Sequence, residues 1–314
     1  MASHDHHNHA DHDHASHSER AHAHAPADFG RAFAIGATLN AGFVVLEAIY
    51  GFQANSVALL ADAGHNLGDV FGLLMAWGAS ALVKHPPTAR FTYGYRSSTI
   101  LAALGNAILL LVATGAIAWE AIQRIGSPVQ VTGTTVLIVA AIGIAINGFT
   151  AWMFMAGRNA DINIKAAYAH MAADAVVAAG VVATGLAILL TGWHWLDPVA
   201  SLIISAIIVW GTWGLLRGSL DLAMDAVPSG IDPVKVRQHL EALPGVATIH
   251  DLHIWPMSTI ETALTCHLVM PSGCDDRFLS EAVEGIEHTF GIAHSTLQIE
   301  RGEGACALAP SHVV

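Results

Sequence analysis

Two short stretches carry residues whose types and spacing could do chemistry: "AGHNLGD", with His65 and Asp69, and "AYAHMAADAVV", with His170 and Asp174. Each is a His-x-x-x-Asp pair. On a helix, residues four apart lie on one face about a turn from each other, so each pair offers an imidazole nitrogen and a carboxylate oxygen to one point. Two such helices facing each other would supply two nitrogens and two oxygens. That donor set suits tetrahedral Zn²⁺, whose filled d shell imposes no other geometry. Both pairs lie inside long apolar runs. An aspartate at the centre of a bilayer costs about 2.5–3.5 kcal/mol, so Asp69 and Asp174 together carry roughly 5–7 kcal/mol that a divalent cation or a proton must offset. Polar hydrogen bonding between helices would explain one such pair equally well. The repetition at identical spacing favours a metal site. Asp62, three residues before His65, reads as a supporting or structural group, and Asn40, Glu47, Asn106 and Asn147 as interhelical hydrogen-bonding groups.

The elements that must hold these residues are read from composition and periodicity. Of 314 residues, 54% are hydrophobic and 12% charged, and the mean hydropathy is +0.51, which marks a membrane protein. Six apolar segments of spanning length run over 32–52, 57–82, 98–119, 133–156, 166–190 and 196–215, each near the ~20 residues needed to cross a bilayer. Arg20 and Arg31 precede the first segment, Lys84, Arg90 and Arg96 lie between the second and third, Arg158 and Lys165 between the fourth and fifth, and Arg217 follows the sixth. The opposite side carries only Arg124. An excess of basic residues marks the cytoplasmic side, so both termini are expected in the cytoplasm of a multi-pass inner (plasma) membrane protein. Asp197, at the start of the sixth segment, reads as its cap.

After Arg217 the composition turns soluble, and Asp232-Pro233 signals a helix start. A helix over 233–243, strands over 246–255 and 262–270, a helix over 277–290 and a strand over 294–300 give an αββαβ order, a small α+β sheet with its helices on one face. The expected organisation is a disordered His-rich tail over 1–28, a six-helix transmembrane domain over 29–218, a cytoplasmic domain over 219–302 and a flexible tail over 303–314. The first 28 residues hold nine histidines and lack the basic start and apolar core of a secretory leader. Their imidazoles and carboxylates could bind transition metals loosely. The formal charge of −12 and the absence of any basic block argue against a nucleic-acid partner. Cys266, Cys274 and Cys306 show no Cys-x-x-Cys spacing, so no disulfide framework or thiolate zinc motif is indicated.

The stretches "SVALLADAGHNLGDV", "RFTYGYRS", "AYAHMAADAVV", "LDPVASLIIS" and "HDLHIW…LTCHLVM…HSTLQIE", in this order over residues 31 to 300, resemble the cation diffusion facilitator family in its bacterial zinc-type branch. The resemblance implies a homodimeric exporter that moves divalent metal out of the cytoplasm in exchange for protons, with a metallochaperone-like soluble domain. It puts the transport site on His65, Asp69, His170 and Asp174, the same four residues that the spacing selects. It puts a possible regulatory zinc site on His250, His267 and Glu300, one from each predicted strand. Period-two alternation would set His250 and His253 on opposite faces of the sheet, so that one site could not use both. Some relatives have a further metal site between the second and third spans; here that loop reads "TARFTYGY", no metal is expected there, and His85 is expected to be solvated. The expected function is proton-coupled efflux of Zn²⁺, with an exporter mainly for Co²⁺, Ni²⁺ or Cd²⁺, or a non-transporting membrane metal sensor, as alternatives. An intramembrane metalloprotease would need a motif such as His-Glu-x-x-His, which is absent, and no enzyme is expected.

Overall fold

The computed structural model describes residues 28–127, 129–155, 162–302 and 306–308. The expected His-rich tail lies outside the described residues apart from Asp28, and the expected C-terminal tail lies outside them apart from residues 306–308. Six long helices come first: α1 (Asp28–Gln53), α2 (Val57–Val83), α3 (Ser98–Gly126), α4 (Gly133–Met155), α5 (Ile162–Thr191) and α6 (Leu196–Ala223). All six are long and apolar enough to cross a membrane. Large apolar side chains such as Trp77, Trp152, Val176 and Trp210 are exposed around the outside, which suits lipid as the surrounding solvent.

With lipid outside, interhelical contact depends on close packing rather than on expelling water, and small residues sit where helices meet. A Cβ on Gly185 of α5 would lie 3.0 Å from the Leu137 nitrogen of α4, and one on Gly133 would lie 3.0 Å from the Gly185 carbonyl oxygen. The α4 and α5 backbones therefore touch. Helix α2 packs on α1, α3 and α6, whereas α5 packs chiefly on α4; α2 and α5 meet each other only sparingly. The two metal-type pairs thus stand on helices with different principal neighbours, although α1 also packs on α4 and α6 on α5.

Asp197 differs from the sequence expectation. It stands in the first turn of α6, but its carboxylate serves α2: it accepts a hydrogen bond from the Ser56 hydroxyl and another, at 2.7 Å, from the Val57 N–H. Ser56 Oγ in turn accepts from Leu59 N–H at 3.1 Å. The first turn of α2 has N–H groups with no partner inside the helix; its own cap Ser56 takes one, and Asp197 takes another from the neighbouring helix α6.

After α6 the chain forms a small domain built from α7 (Pro233–Glu241), β1 (Thr248–Pro256), β2 (Thr262–Val269), α8 (Asp276–Phe290) and β3 (His294–Glu300), the expected αββαβ order. Asp232 caps α7 by accepting from Val234 N–H at 3.0 Å, and Asp275 caps α8 by accepting from Phe278 N–H at 2.9 Å. Strand order is β1-β2-β3, antiparallel between β1 and β2 and parallel between β2 and β3. Val236 and Leu240 of α7 and Ile286 of α8 bury one sheet face together with Ile249, Ile254, Leu264, Cys266 and Leu268. His267 and Thr265 alternate with these on β2 and so lie on the other face.

The strand β1 departs from simple alternation. His250 pairs with His267, but His253 pairs with Thr265, so an irregularity lies between them, and Asp251 there has φ of +51°. Residues 265 and 267 share a face, so their partners His253 and His250 share it too. The expectation that these histidines would lie on opposite faces is therefore corrected, because a β-bulge adds a residue and shifts the phase of the strand.

The start of α3 is tied to the small domain. Arg96 forms an ion pair with Glu261, Thr259 N–H donates to Thr99 Oγ1 at 3.1 Å, and the Tyr93 and His294 rings meet edge to face at 5.5 Å.

The Asp197 arrangement generates a test. Asp197→Ala leaves the Ser56 hydroxyl and Val57 N–H without a partner in an apolar setting and is expected to cost about 1–3 kcal/mol, whereas Asp197→Asn keeps an acceptor and costs less. Thermal unfolding of the purified protein in detergent reads this order.

Candidate metal centres

In the membrane, α2 brings His65 and Asp69 to one face and α5 brings His170 and Asp174 opposite them. His65 Nε2 lies 3.9 Å from Asp69 Oδ2 on its own helix and 3.6 Å from Asp174 Oδ1 across the gap. His170 Nε2 lies 3.7 Å from Asp174 Oδ2 on its own helix and 3.3 Å from Asp69 Oδ2 across the gap. The cross-helix distances are thus as short as those within each helix. The two imidazole rings are 6.2 Å apart and nearly perpendicular, which aims two nitrogens from different directions. Ligand atoms of Asp69, His170 and Asp174 all lie within 4.8 Å of one another. Asp174 is buried and His170 is the most open of the four, so the cluster has one sealed side and one accessible side. Asp69 Oδ2 and Asp174 Oδ2 are buried without a conventional hydrogen-bond donor, as expected of carboxylates whose partner would be a cation.

Beside this cluster lies a second polar group. Glu47 of α1 and Asp62 and Asn66 of α2 are fully buried. Asn66 Nδ2 donates to Glu47 Oε2 at 3.4 Å, which bears out Glu47 as an interhelical hydrogen-bonding group. Asp62 is buried on the same helix one turn before Asn66, and neither of its carboxylate oxygens finds a donor among the described residues. The side-chain oxygens of Asn40, Asn106 and Asn147 find no donor among the described residues. Asn106 packs instead over Gly72.

The sheet of the small domain gathers a second cluster on the face that the helices leave uncovered. His250 comes from β1, His267 from β2 and Glu300 from the end of β3, as the sequence reading expected, because the register aligns positions 250 with 267 and Glu300 lies beside Val269. His250 Nε2 is 3.3 Å from Glu300 Oε2, and His267 Nδ1 is 2.9 Å from Glu300 Oε1. The His250 and His267 rings are 5.1 Å apart. Burial works against the Glu300 charge, but a hydrogen bond from the Cys306 thiol and the neighbouring His250 and His267 hold its carboxyl below the ordinary glutamate range. It is therefore an anionic donor at neutral pH.

Two members of this cluster were missed by the sequence reading. Cys306 Sγ lies 3.7 Å from His267 Nδ1, and its thiol sits within 4.8 Å of donor atoms of His250, His267 and Glu300. Asp251 accepts from His253 Nε2 at 2.8 Å through one oxygen and faces His267 Nε2 at 3.4 Å through the other. One signal was available for the second. Ile249 and Ile254 both enter the helix-covered core although an odd interval separates them, which a strand can manage only by a phase shift at Asp251. No such signal marked Cys306. In the loop between α2 and α3, His85 is exposed and its ring lies edge to face with that of Tyr95 at 6.5 Å.

A bundle of six spanning helices with imidazole and carboxylate groups converging at its middle, followed by a small αββαβ domain, defines a membrane protein that handles cations. Residues 33–222 match the family described as the cation efflux transmembrane domain, and residues 228–302 match the cation efflux protein cytoplasmic domain. The chain belongs to the cation efflux, or cation diffusion facilitator, family; it is a transporter and not an enzyme. It is 34% identical over 289 residues to the metal cation efflux system protein CzcD of Cupriavidus metallidurans, covering 91% of this chain and 92% of that one. It is 35% identical over 267 residues to a cadmium, cobalt and zinc/H(+)-K(+) antiporter of Bacillus subtilis, covering 82% and 85%. It is 34% identical over 271 residues to the zinc transporter ZitB of Escherichia coli, covering 85% and 86%.

If the intramembrane groups hold a divalent cation, ligand binding must stabilise the fold. Zn²⁺ added to chelator-treated protein is expected to raise the thermal midpoint, by the equivalent of about 2.7 kcal/mol at a hundred times its Kd. Asp174→Ala should lose part of that increment, and an unchanged increment would count against the cluster.

Proposed function

We propose that this protein exports divalent transition metal, chiefly Zn²⁺, from the cytoplasm in exchange for protons, using His65, Asp69, His170 and Asp174 as the transport site. The observation that carries this reading is the interleaving of the two His-x-x-x-Asp pairs, in which each imidazole is as near the carboxylate of the opposite helix as that of its own. Two nitrogens and two oxygens form a closed tetrahedral donor set for Zn²⁺. The same groups bind protons when the metal leaves. Imidazole, with an ordinary pKa of about 6.5, alternates between ligand and proton carrier near neutral pH, so metal and protons compete for one site.

The packing suits alternating access. Because α5 leans chiefly on α4 while α2 is held by α1, α3 and α6, sliding at the α1–α4 and α5–α6 contacts would open the site to either side without breaking a helix. The basic residues put both termini on the cytoplasmic side, and metal loads from there. The chain works as a homodimer, consistent with its match to the family's cytoplasmic domain. His250, His267 and Glu300 bind cytoplasmic metal and report its level. Their domain touches the membrane helices through Arg96 and Glu261, which gives that signal a mechanical path. Cadmium and cobalt as further substrates are favoured by the name of the Bacillus subtilis relative.

Uptake of Zn²⁺ into inverted membrane vesicles, with and without a pH gradient, tests the proposal. His170→Ala and Asp174→Ala should each lower transport at least about tenfold, since loss of even an outer partner of a metal ligand costs that much affinity. Near-normal uptake by either variant would remove the site, and metal binding without flux in the parent protein would make it a sensor.

His65→Asp replaces a borderline nitrogen donor by a harder, charged oxygen and should raise the ratio of Cd²⁺ or Mn²⁺ transport to Zn²⁺ transport. An unchanged ratio in a competition assay would take His65 out of direct contact with the metal.

A further inference from the structure

Resting on the reading that His250, His267 and Glu300 bind metal, we propose that Cys306 completes their site as a fourth, thiolate ligand. Three protein ligands leave a zinc ion with an open position, whereas sites that hold the ion without reacting it are closed by four. The cluster already contains a fourth donor. Ligand atoms of His250, His267, Glu300 and Cys306 all lie within 4.8 Å of one another. Around a tetrahedral zinc with bonds of roughly 2.0–2.3 Å, neighbouring donor atoms stand about 3.3–3.8 Å apart. The distances found are 3.3 Å from His250 Nε2 to Glu300 Oε2, 2.9 Å from His267 Nδ1 to Glu300 Oε1 and 3.7 Å from Cys306 Sγ to His267 Nδ1. Small side-chain adjustments therefore suffice to close a shell of two nitrogens, one oxygen and one sulfur.

Three further observations fit a built site. His267 turns Nδ1 toward the cluster, and its other nitrogen faces the Asp251 carboxylate at 3.4 Å. A carboxylate behind a ligating imidazole fixes its tautomer and strengthens it as a donor. Asp251 reaches this position only because the bulge displaces it, so the irregular backbone has a role. Second, His250 Nε2 is buried without a conventional hydrogen-bond partner and points at the cluster. Third, the other two thiols are elsewhere. Cys266 lies in the helix-covered core, where burial pushes its thiol up to about 12, and Cys274 is exposed ahead of α8.

A thiolate changes what the cytoplasmic site can do. The transport cluster has nitrogen and oxygen donors only, which favours release, whereas sulfur adds a soft donor that holds Zn²⁺ and Cd²⁺ more tightly and discriminates against Mn²⁺ and Mg²⁺. The two centres of one chain would then differ in kind, one for passage and one for retention. Binding would also join the residues after β3 to β1 and β2 through the metal.

The test uses Co²⁺ as a spectroscopic stand-in for zinc in the full-length chain carrying His170→Ala and Asp174→Ala, so that the membrane site is silent. A thiolate bound to Co²⁺ gives a charge-transfer band in the near ultraviolet that imidazole and carboxylate ligands do not, so any Co²⁺ held by histidines elsewhere is silent there. The band is expected in this background and with Cys274→Ser added. It should vanish with Cys306→Ser and with His250→Ala plus His267→Ala. In the parent chain, saturating Zn²⁺ should slow alkylation of Cys306 by about tenfold or more, read by mass spectrometry, while Cys274 reacts unchanged. If the double histidine variant binds one Co²⁺ fewer by equilibrium dialysis but no charge-transfer band is present, the cluster binds metal and Cys306 is not its ligand. If the double variant alters neither bound Co²⁺ nor the spectrum, the cytoplasmic site itself is wrong. A band that survives Cys306→Ser, or unchanged alkylation with Zn²⁺, overturns the proposal.

Discussion

Ionisable groups in a hydrocarbon layer must converge on one another, and the membrane half of this protein is organised by that requirement. Asp174 is sealed from solvent, and its oxygens lie near two imidazoles, one from its own helix and one from α2. Neither pair could sit in lipid alone without the cost of an unaccompanied carboxylate. The antiparallel helices α2 and α5 solve this by presenting the pairs at one level, although they touch each other little elsewhere. The weak direct contact is consistent with the work required, since a site shared by two loosely joined helices is one whose geometry can be altered by moving them.

Support for α2 comes from both of its surroundings. Near its start, Ser56 and Asp197 fasten it to α6, and toward its middle Glu47 and Asn66 fasten it to α1. Helix α5, by contrast, packs chiefly on α4, whose backbone meets it at Gly133 and Gly185, and less on α6. Three of the ionisable or amide groups buried in the bundle, Glu47, Asp62 and Asn66, meet where α1 and α2 pack.

The cytoplasmic domain solves the opposite problem, gathering donors on an open sheet face. Its helices cover the apolar face, and the bulge at Asp251 lets β1 keep Ile249 and Ile254 in the core while turning His250 and His253 to the outer face. Arg96, Ser97 and Thr99 at the start of α3 receive the β1–β2 turn through the Glu261 ion pair, the Met257 carbonyl and the Thr259 N–H. A change in the sheet would be felt first at α3, which packs on α2.

The sequence by itself determined much of this. Spanning helices are legible because lipid demands an unbroken apolar run, and the αββαβ order because caps such as Asp232-Pro233 and the strand alternation are local signals. The four intramembrane residues were legible because a four-residue interval on a helix puts side chains on one face, and because charge in a bilayer is conspicuous. What only the tertiary structure decided depends on neighbours distant in the chain. Asp197 was read as a cap for α6 and serves α2, since nothing in "WLDP" says which helix start lies across from it. His250 and His253 were set on opposite faces, since alternation assumes a regular strand and the backbone at Asp251 breaks it. Cys306 carried no motif at all; it joins His250, His267 and Glu300 because parallel pairing of β3 with β2 brings the end of the sheet to that face, a proximity that spacing along the chain does not encode.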